Sequence, residues 1–152
     1  MKQVMKKIFI YYSLTGNGDI VANYLKDKKY DIRKVNTKEK LPDNFILRIL
    51  SGGYKAMINY KDKLDNFNND ISLYDEIVIG SPIWNDRLSS PINKVLDELA
   101  LQNKGVTFIL YSGSNKLNRA INLINKRYKN AKIIKLVEPK KNKEELKKLD
   151  NL

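Results

Sequence analysis

Alternating strand-like and helix-like stretches constrain the fold of this chain more than any other feature of its sequence. Residues 8–12 form an apolar run, which is typical of a strand buried on both faces. Behind that run, apolar residues recur at helical spacing, namely Ile20, Val21, Tyr24 and Leu25. The same combination returns along the chain, and it predicts a parallel sheet with helices on both faces.

Five strands are predicted, at residues 8–12, 30–35, 76–80, 106–110 and 133–137. The first, third and fourth are almost wholly apolar, as expected of central strands, whereas the second and fifth carry charged residues. Charges inside a strand are more typical of a sheet edge. The pattern therefore predicts a three-layer αβα fold with a five-stranded parallel sheet in the order 2-1-3-4-5.

The remaining segments follow from weaker patterns. Three further helices are predicted, at residues 92–99, 117–124 and 143–149. Apolar spacing within residues 45–50 suggests another helix, which two glycines just beyond would end. The lysine- and asparagine-rich residues 59–72 are expected to be irregular. Because no repeat or linker interrupts the chain, residues 1–152 are expected to form a single domain.

The chain contains no cysteine and no histidine. This composition excludes thiol redox chemistry, metal sites built from these side chains, and nucleophiles activated by histidine. We therefore predict no catalytic residue and no metal ligand, and any redox chemistry requires a bound cofactor. The lack of cysteine also agrees with a reducing cytoplasm.

Two features bear on location and partners. The apolar run behind the basic start is too short for a signal peptide or a membrane span, so a soluble, cytoplasmic protein is expected. The net charge is +12, with lysine concentrated after residue 116. Such a surface has two alternative roles. It either keeps the protein hydrated without binding a partner, or it attracts nucleic acid, anionic lipid or an acidic protein. Because no nucleic-acid motif accompanies the charge, no specific nucleic-acid partner is expected.

The loop after the first predicted strand, residues 13–18, has the composition of a phosphate-binding turn. Ligands of open parallel sheets bind beyond the carboxyl ends of the strands, where the strand order reverses, here between strands one and three. Ser13 and Thr15 offer hydroxyl groups, two glycines let the backbone close around a ligand, and free N–H groups begin the next helix. A capped turn without a ligand is the alternative. Val21 stands where a dinucleotide-binding fingerprint needs glycine, and no P-loop lysine is present.

The loop after the third predicted strand, residues 81–86, contains Trp84, the only tryptophan of the chain. In such a loop, the indole has two alternative roles. It either offers a flat face to an aromatic ligand or packs on a neighbouring helix or a partner chain.

Together these loops resemble those of the flavodoxin family, and the resemblance covers nearly the whole chain. Residues 12–17, Tyr-Ser-Leu-Thr-Gly-Asn, are similar to the family's phosphate loop, Ser/Thr-x-Thr-Gly-Asn-Thr. Residues 79–84, Ile-Gly-Ser-Pro-Ile-Trp, are similar to the end of strand three and the first ring-binding loop of a flavodoxin-like branch. Residues 111–114, Tyr-Ser-Gly-Ser, fall where the second ring-binding loop would lie. The fifth strand has no inserted segment, so the chain resembles the short-chain form.

The resemblance implies FMN as cofactor and electron transfer as function. The phosphate would be bound by the first loop, at Ser13, Leu14, Thr15, Gly16, Asn17 and Gly18. The isoalloxazine ring would lie between two further loops, formed by Pro82, Ile83, Trp84 and Asn85 and by Ser112, Gly113, Ser114 and Asn115. Trp84 is the expected stacking partner.

The sequence departs from the family pattern in ways that predict weaker FMN binding. Gly18 replaces a threonine, so one hydroxyl donor is lost, and Asp19 adds a negative charge beside the phosphate. The third loop has no aromatic residue beyond Tyr111, which leaves one ring face open to a second substrate. Asn85 stands where many flavodoxins have a glycine whose peptide flips beside the ring, and we hypothesise a costlier flip here.

Two electron-handling roles stay open at this point. A flavodoxin carries single electrons between protein partners, usually through an acidic face, which a net charge of +12 suits poorly. A flavodoxin-like oxidoreductase instead passes electrons from NAD(P)H to a small acceptor such as a quinone. The alternative from another class is a flavin-free protein that binds nucleic acid, lipid or a protein partner through its basic surface.

Overall fold

The structure is a computed structural model that describes residues 3–38, 44, 46–47, 50 and 63–152. Its strands are β1 (Lys7–Tyr11), β2 (Asp31–Lys34), β3 (Glu76–Trp84), β4 (Arg87–Leu88), β5 (Gly105–Ser112) and β6 (Lys132–Val137). Its helices are α1 (Asn17–Asp27), α2 (Ser90–Glu98) and α3 (Asn118–Arg127), followed by a 3₁₀ helix at Lys143–Leu149.

The central sheet is parallel and has the order β2-β1-β3-β5-β6. Since the predicted fourth and fifth strands are β5 and β6, this is the predicted order 2-1-3-4-5, and the flavodoxin-like fold is confirmed. The strand count differs, because the short β4 pairs antiparallel with β3. The less polar strands are central and the charged ones lie at the edges, in agreement with the sequence pattern.

Apolar side chains on both faces of the sheet form two separate cores. On one face, Phe9 of β1 packs with Leu25 of α1 and Leu149 of the 3₁₀ helix. On the other face, Ile79 of β3 belongs to a core that includes Ile92 of α2 and Ile124 of α3. Each of these side chains is at most 1% exposed. The two cores produce the three layers and hold the carboxyl ends of the strands at one edge.

The segment after the third predicted strand is not a loop, which corrects the sequence-based assignment of residues 81–86. β3 continues to Trp84, which pairs with Arg87 in β4. Asn85 and Asp86 join the two strands with φ angles of 49° and 57°. Positive φ at both central residues is what a type I′ hairpin turn requires, and asparagine and aspartate tolerate it.

The 3₁₀ helix closes the chain against α1 and β6. The Tyr24 hydroxyl donates a hydrogen bond to the Asp150 carboxylate, which also lies 3.1 Å from the ammonium group of Lys28. The Glu145 carboxylate accepts a hydrogen bond from the backbone N–H of Val137 at 2.9 Å. The predicted helix at residues 143–149 is therefore present, although in the tighter 3₁₀ form.

Part of the sequence-based assignment lies outside the described residues. Of the helix suggested at 45–50, Ile46, Leu47 and Leu50 are described and helical, and their side chains are exposed. Of the segment expected to be irregular, residues 63–72 are described and include one bridge, between Leu64 and Thr37. Among the described helices, none combines the length and the hydrophobicity that crossing a bilayer requires.

Candidate functional site

A cleft of about 680 Å³ opens at the carboxyl edge of the sheet, between the ends of β1, β3 and β5. This volume lies within the range of about 300–1,000 Å³ that is typical of sites for small molecules and cofactors. The cleft is lined by Leu14, Thr15, Asn17, Pro82, Ile83, Trp84, Tyr111, Ser112, Gly113, Glu138, Lys140 and Lys141.

The loop between β1 and α1 presents unpaired backbone donors. Gly16 caps α1 with a φ of 97°, a left-handed conformation in which a side chain is strained, and its carbonyl accepts the N–H of Ile20 at 3.2 Å. The N–H groups that precede the first helical hydrogen bond have no intrahelical partner. Within the described chain, those of Thr15, Gly16 and Asn17 make no other hydrogen bond either. They are available to an anion, which the helix dipole also favours.

Ser13 braces this loop from inside. Its hydroxyl oxygen accepts a hydrogen bond from the N–H of Gly18 at 3.1 Å. Ser13 is absent from the lining of the cleft. The structure therefore places this hydroxyl as a loop brace, with the N–H of Gly18 already paired.

Tight packing accounts for the glycine at position 18. A Cβ atom there would lie 2.6 Å from the Tyr111 hydroxyl, 2.8 Å from Cδ2 of Tyr11 and 2.9 Å from Cβ of Ser13. Real Cβ atoms do not approach other atoms this closely. The family's threonine has no room beside these two tyrosines.

The charge of Asp19 is balanced locally. Its carboxylate lies 2.9 Å from the Lys34 ammonium and accepts a hydrogen bond of 2.8 Å from the Tyr11 hydroxyl. Burial alone would raise the pKa of Asp19, but these two partners together with Ser13 lower it. In turn, burial and the bond to Asp19 hold the pKa of Tyr11 above its usual range, so the phenol stays neutral. The carboxylate thus lies beside the loop as a paired charge.

The β3–β4 hairpin provides the apolar wall of the cleft. Pro82, Ile83 and Trp84 line it, and the Trp84 ring meets the Tyr12 ring edge-on, with centroids 6.0 Å apart and planes at 89°. At the base of the hairpin, the buried Ser81 hydroxyl oxygen accepts the N–H of Ser89 at 3.1 Å. Because this bond ties β3 to the start of α2, the wall is held in place. Asn85 is exposed at the turn and does not line the cleft.

The loop after β5 forms a more open wall. Tyr111 is fully buried, donates a hydrogen bond to the Tyr12 carbonyl, and has a pKa raised by its burial. Ser112 is 9% exposed, and its hydroxyl oxygen accepts the N–H of Ser114 at 3.2 Å. Residues 113–116 are exposed and carry no aromatic ring. One side of the cleft is therefore accessible to a second molecule.

Three charged residues at the cleft were not identified from the sequence. Glu138, Lys140 and Lys141 belong to the turn between β6 and the 3₁₀ helix, and all three line the cleft. The ammonium group of Lys140 lies 3.1 Å from the Thr15 carbonyl oxygen, and that of Lys141 lies 3.1 Å from the Glu138 carboxylate. No local motif marked these residues, because their position depends on the packing of the whole sheet.

The structure brings most of the predicted site residues together. Those that line the cleft are Leu14, Thr15, Asn17, Pro82, Ile83, Trp84, Ser112 and Gly113. Those beside the cleft, within the same loops and the hairpin turn, are Ser13, Gly16, Gly18, Asn85, Ser114 and Asn115.

The chemistry of the cleft fits FMN. One end has free N–H groups and the Thr15 and Asn17 side chains, which suit a phosphate, and a lysine lies beside them. The other end has the flat, apolar wall that an isoalloxazine ring needs, with Trp84 available for stacking.

Solved structures share this fold. A protein from Bacteroides eggerthii DSM 20697 matches with a TM-score of 0.72 at 20% identity, over 97% of this chain and 98% of that one. A flavoprotein from Lactobacillus acidophilus NCFM, solved in complex with FMN, has a TM-score of 0.66 at 20% identity, over 93% and 98% of the two chains. An NADH:FMN oxidoreductase in its apo form has a TM-score of 0.53 at 12% identity, over 97% and 88%. No curated protein matches the sequence significantly.

The sequence itself matches one protein family, described as NADPH-dependent FMN reductase, over residues 5–131. The match contains the loop between β1 and α1, the β3–β4 hairpin and the loop after β5. This family description supports FMN as the cofactor and NAD(P)H as a substrate. From the fold, the cleft and this match, we conclude that the chain belongs to the NADPH-dependent FMN reductase family.

Proposed function

We propose that this protein is an FMN-dependent oxidoreductase that takes electrons from NAD(P)H and passes them to a small acceptor, such as a quinone, at the open side of the cleft. The observation that carries the proposal is the contrast between the two walls. Trp84 and Pro82 form an apolar wall on one side, whereas residues 113–116 leave the opposite side exposed. A small molecule has access there to the ring of a bound flavin.

We assign each part of FMN to the residues whose chemistry suits it. The N–H groups of Thr15, Gly16 and Asn17 would hold the phosphate, and Trp84 with Pro82 would offer the ring an apolar face. Ser112 and Gly113 line the cleft as well and would also contribute to binding. When bound, FMN supplies the chemistry of accepting a hydride and releasing electrons.

The protein's own contribution is to bind the cofactor and to orient it in the cleft. Among the described residues that line the cleft, Glu138 is the single carboxylate, and it lies 3.1 Å from the Lys141 ammonium. The phenol of Tyr111 is buried and donates to the Tyr12 carbonyl. Neither group is a free acid or base beside the ring. We therefore assign no acid–base residue to the reaction.

The charge of the protein supports a small-molecule substrate over a protein shuttle role. Flavodoxins meet their partners through an acidic face, whereas this chain has a net charge of +12. NAD(P)H is a polyanion, and a positively charged protein attracts it over several ångströms at low salt. Lys140 and Lys141 place part of that charge at the cleft itself.

The proposal is tested by mixing FMN-loaded protein with NADPH, and separately with NADH, in the absence of oxygen. Bleaching of the flavin absorbance at a rate that saturates with nucleotide is expected, followed by recovery on addition of a quinone. Riboflavin, which lacks the phosphate group, serves as the control. It is expected to bind more weakly than FMN if the loop between β1 and α1 binds the phosphate. A bound flavin that neither nucleotide reduces, but that a single-electron donor does, would contradict the proposal and favour a shuttle.

A further inference from the structure

The turn between β6 and the 3₁₀ helix reaches across the sheet edge to the phosphate-binding loop. The Lys140 backbone N–H donates to the Asn17 side-chain oxygen at 3.0 Å, and the Lys140 ammonium group donates to the Thr15 carbonyl at 3.1 Å. Over 120 residues separate these partners in the chain. The turn, defined here as residues 138–142, therefore holds a cation directly beside the candidate phosphate site.

Hydrogen bonds on both sides fix this turn. The N–H of Glu138 continues the β5–β6 pairing by donating to the Ser112 carbonyl at 3.0 Å, and its φ of 42° reverses the chain. The Glu138 carbonyl then accepts the N–H groups of Lys141 and Asn142, each at 2.9 Å. Pro139 between them is buried. Lys140 is exposed, yet its backbone position is defined by the fold.

The glycine at position 16 makes room for this lysine. A Cβ atom on Gly16 would lie 3.1 Å from the Lys140 ammonium nitrogen and 3.2 Å from its Cδ. The lysine stem thus crosses directly over the residue that caps α1. An ammonium group has three donors, and the Thr15 carbonyl accepts one, so two are left for a ligand.

The local charges favour Lys140 over its neighbours as an anion ligand. The loop of residues 13–18 contains no lysine or arginine, and Asp19 beside it is paired with Lys34. Lys141 is paired with Glu138. Within the described chain, no carboxylate lies within ion-pair distance of Lys140. A phosphate monoester carries a charge of about −1.5 to −2 at neutral pH, which neutral donors alone do not balance.

We propose that Lys140 is a ligand of the FMN phosphate, contributed by the far end of the chain to a loop that lacks a cation of its own. The proposal rests on the proposed placement of the phosphate at the α1 N-terminus. Lys140 would supply the stabilisation that the loop loses by having glycine in place of threonine at position 18. It makes Lys140 a cofactor-binding residue and a determinant of the preference for FMN over riboflavin.

The experiment measures FMN and riboflavin dissociation constants by quenching of Trp84 emission, for the unaltered protein, Lys140→Gln and Lys143→Gln. Lys143 is an exposed lysine outside the cleft, so its variant controls for the loss of one positive charge. Lys140→Gln is expected to weaken FMN binding about 5- to 20-fold, with riboflavin binding changed less than about twofold. Lys143→Gln is expected to change both less than about twofold, and Lys140→Arg to recover part of the FMN affinity.

The second readout is the dependence of FMN binding on salt concentration. Added salt is expected to weaken FMN binding less in Lys140→Gln than in Lys143→Gln, because one screened contact is missing. One outcome would overturn only the role of Lys140. In that outcome the unaltered protein binds FMN more tightly than riboflavin, but Lys140→Gln binds FMN just as tightly. If the unaltered protein binds FMN no better than riboflavin, the phosphate site of the proposed function is overturned as well.

Discussion

The hydroxyl oxygen of Tyr111 lies where a side chain on Gly18 would have to begin, 2.6 Å from the position of a Cβ atom. The same hydroxyl donates a buried hydrogen bond to the Tyr12 carbonyl, so it has little freedom to move. Tyr11 and Ser13 close the remaining space. The departure from the family's phosphate loop at position 18 is thus a consequence of packing beneath the loop.

Gly18→Ala is expected to destabilise the fold by about 1–3 kcal/mol, because overpacking a filled site forces its neighbours apart. Urea unfolding measures the change. Gly18→Thr, which restores the family motif, is expected to cost at least as much and to weaken FMN binding, since the loop must distort.

The control for this prediction is the Tyr111→Phe background, in which the nearest clashing atom is absent. In that background, Gly18→Ala is expected to lower the free energy of unfolding by less. The difference between the two backgrounds is the coupling energy between positions 18 and 111. Equal costs in both backgrounds would show that Tyr111 does not exclude a side chain at position 18.

The pairing of Asp19 predicts a pH-dependent contribution to stability. The folded state lowers the pKa of this carboxyl below its usual value of 3.8, with Lys34 and Tyr11 outweighing the effect of burial. A lowered folded pKa stabilises the fold above pH 3.8, and that stabilisation is lost as the pH falls through the folded value. Asp19→Asn is therefore expected to be less stable than the unaltered protein at pH 7, and the difference is expected to disappear as the pH falls below the folded pKa of Asp19.

The magnitude is expected to stay below about 1 kcal/mol, because this ion pair is partly exposed to solvent and screened by it. Urea unfolding from pH 3 to pH 7 measures the difference. In a Lys34→Gln background the pH-dependent part is expected to shrink, since the main cation is missing. A difference that is constant with pH would contradict the role assigned to the pair.

The sequence allowed the fold to be predicted because burial sets the residue types of each strand. β1, β3 and β5 are covered on both faces and are mostly apolar, whereas β2 and β6 at the edges tolerate charges. That contrast gave the strand order directly. The loop between β1 and α1 could be singled out as a candidate site because its hydroxyls and glycines are contiguous in the sequence.

The extent of β3 was missed because proline normally ends a strand pairing. Pro82 is accommodated because the pairing of β3 with β1 has already ended at Gly80, so no N–H is needed on that side. The pairing with β5 continues to Tyr111. This information is tertiary, since it depends on where the neighbouring strand stops.

Lys140 was missed for a different reason. Among many lysines in the C-terminal part, nothing local distinguishes the one that reaches the loop after β1. Its placement requires β6 to be at the sheet edge and the turn at Glu138 to reverse the chain. Sequence patterns report local geometry, and this contact joins opposite ends of the chain.

Asp86 is predicted to stabilise α3 from outside that helix. Its carboxylate oxygens accept the N–H of Arg119 in the first helical turn at 3.1 and 3.2 Å, as a capping side chain does. Asp86→Ala is expected to cost about 0.5–2 kcal/mol in urea unfolding. Asp86→Asn keeps an acceptor and tolerates the φ of 57°, so it is expected to cost less.

Asp86→Gly separates the cap from backbone strain, because glycine accepts the positive φ without offering an acceptor. We expect this variant to fall between the other two in stability. A glycine variant as stable as the unaltered protein would show that the carboxylate does not cap α3.

The last prediction concerns the aromatic wall, and it separates stacking from simple apolar contact. Trp84 lines the cleft while its ring packs edge-on against Tyr12, so Trp84→Phe keeps a flat ring at this position and Trp84→Leu keeps only apolar volume. Since stacking contributes about 0.5–1.5 kcal/mol beyond burial, Trp84→Leu is expected to bind FMN about 2- to 10-fold more weakly than Trp84→Phe. Flavin fluorescence measures both, because neither variant has a tryptophan. Equal affinities would mean that the residue serves only as an apolar wall, and the flavin ring would then need another stacking partner.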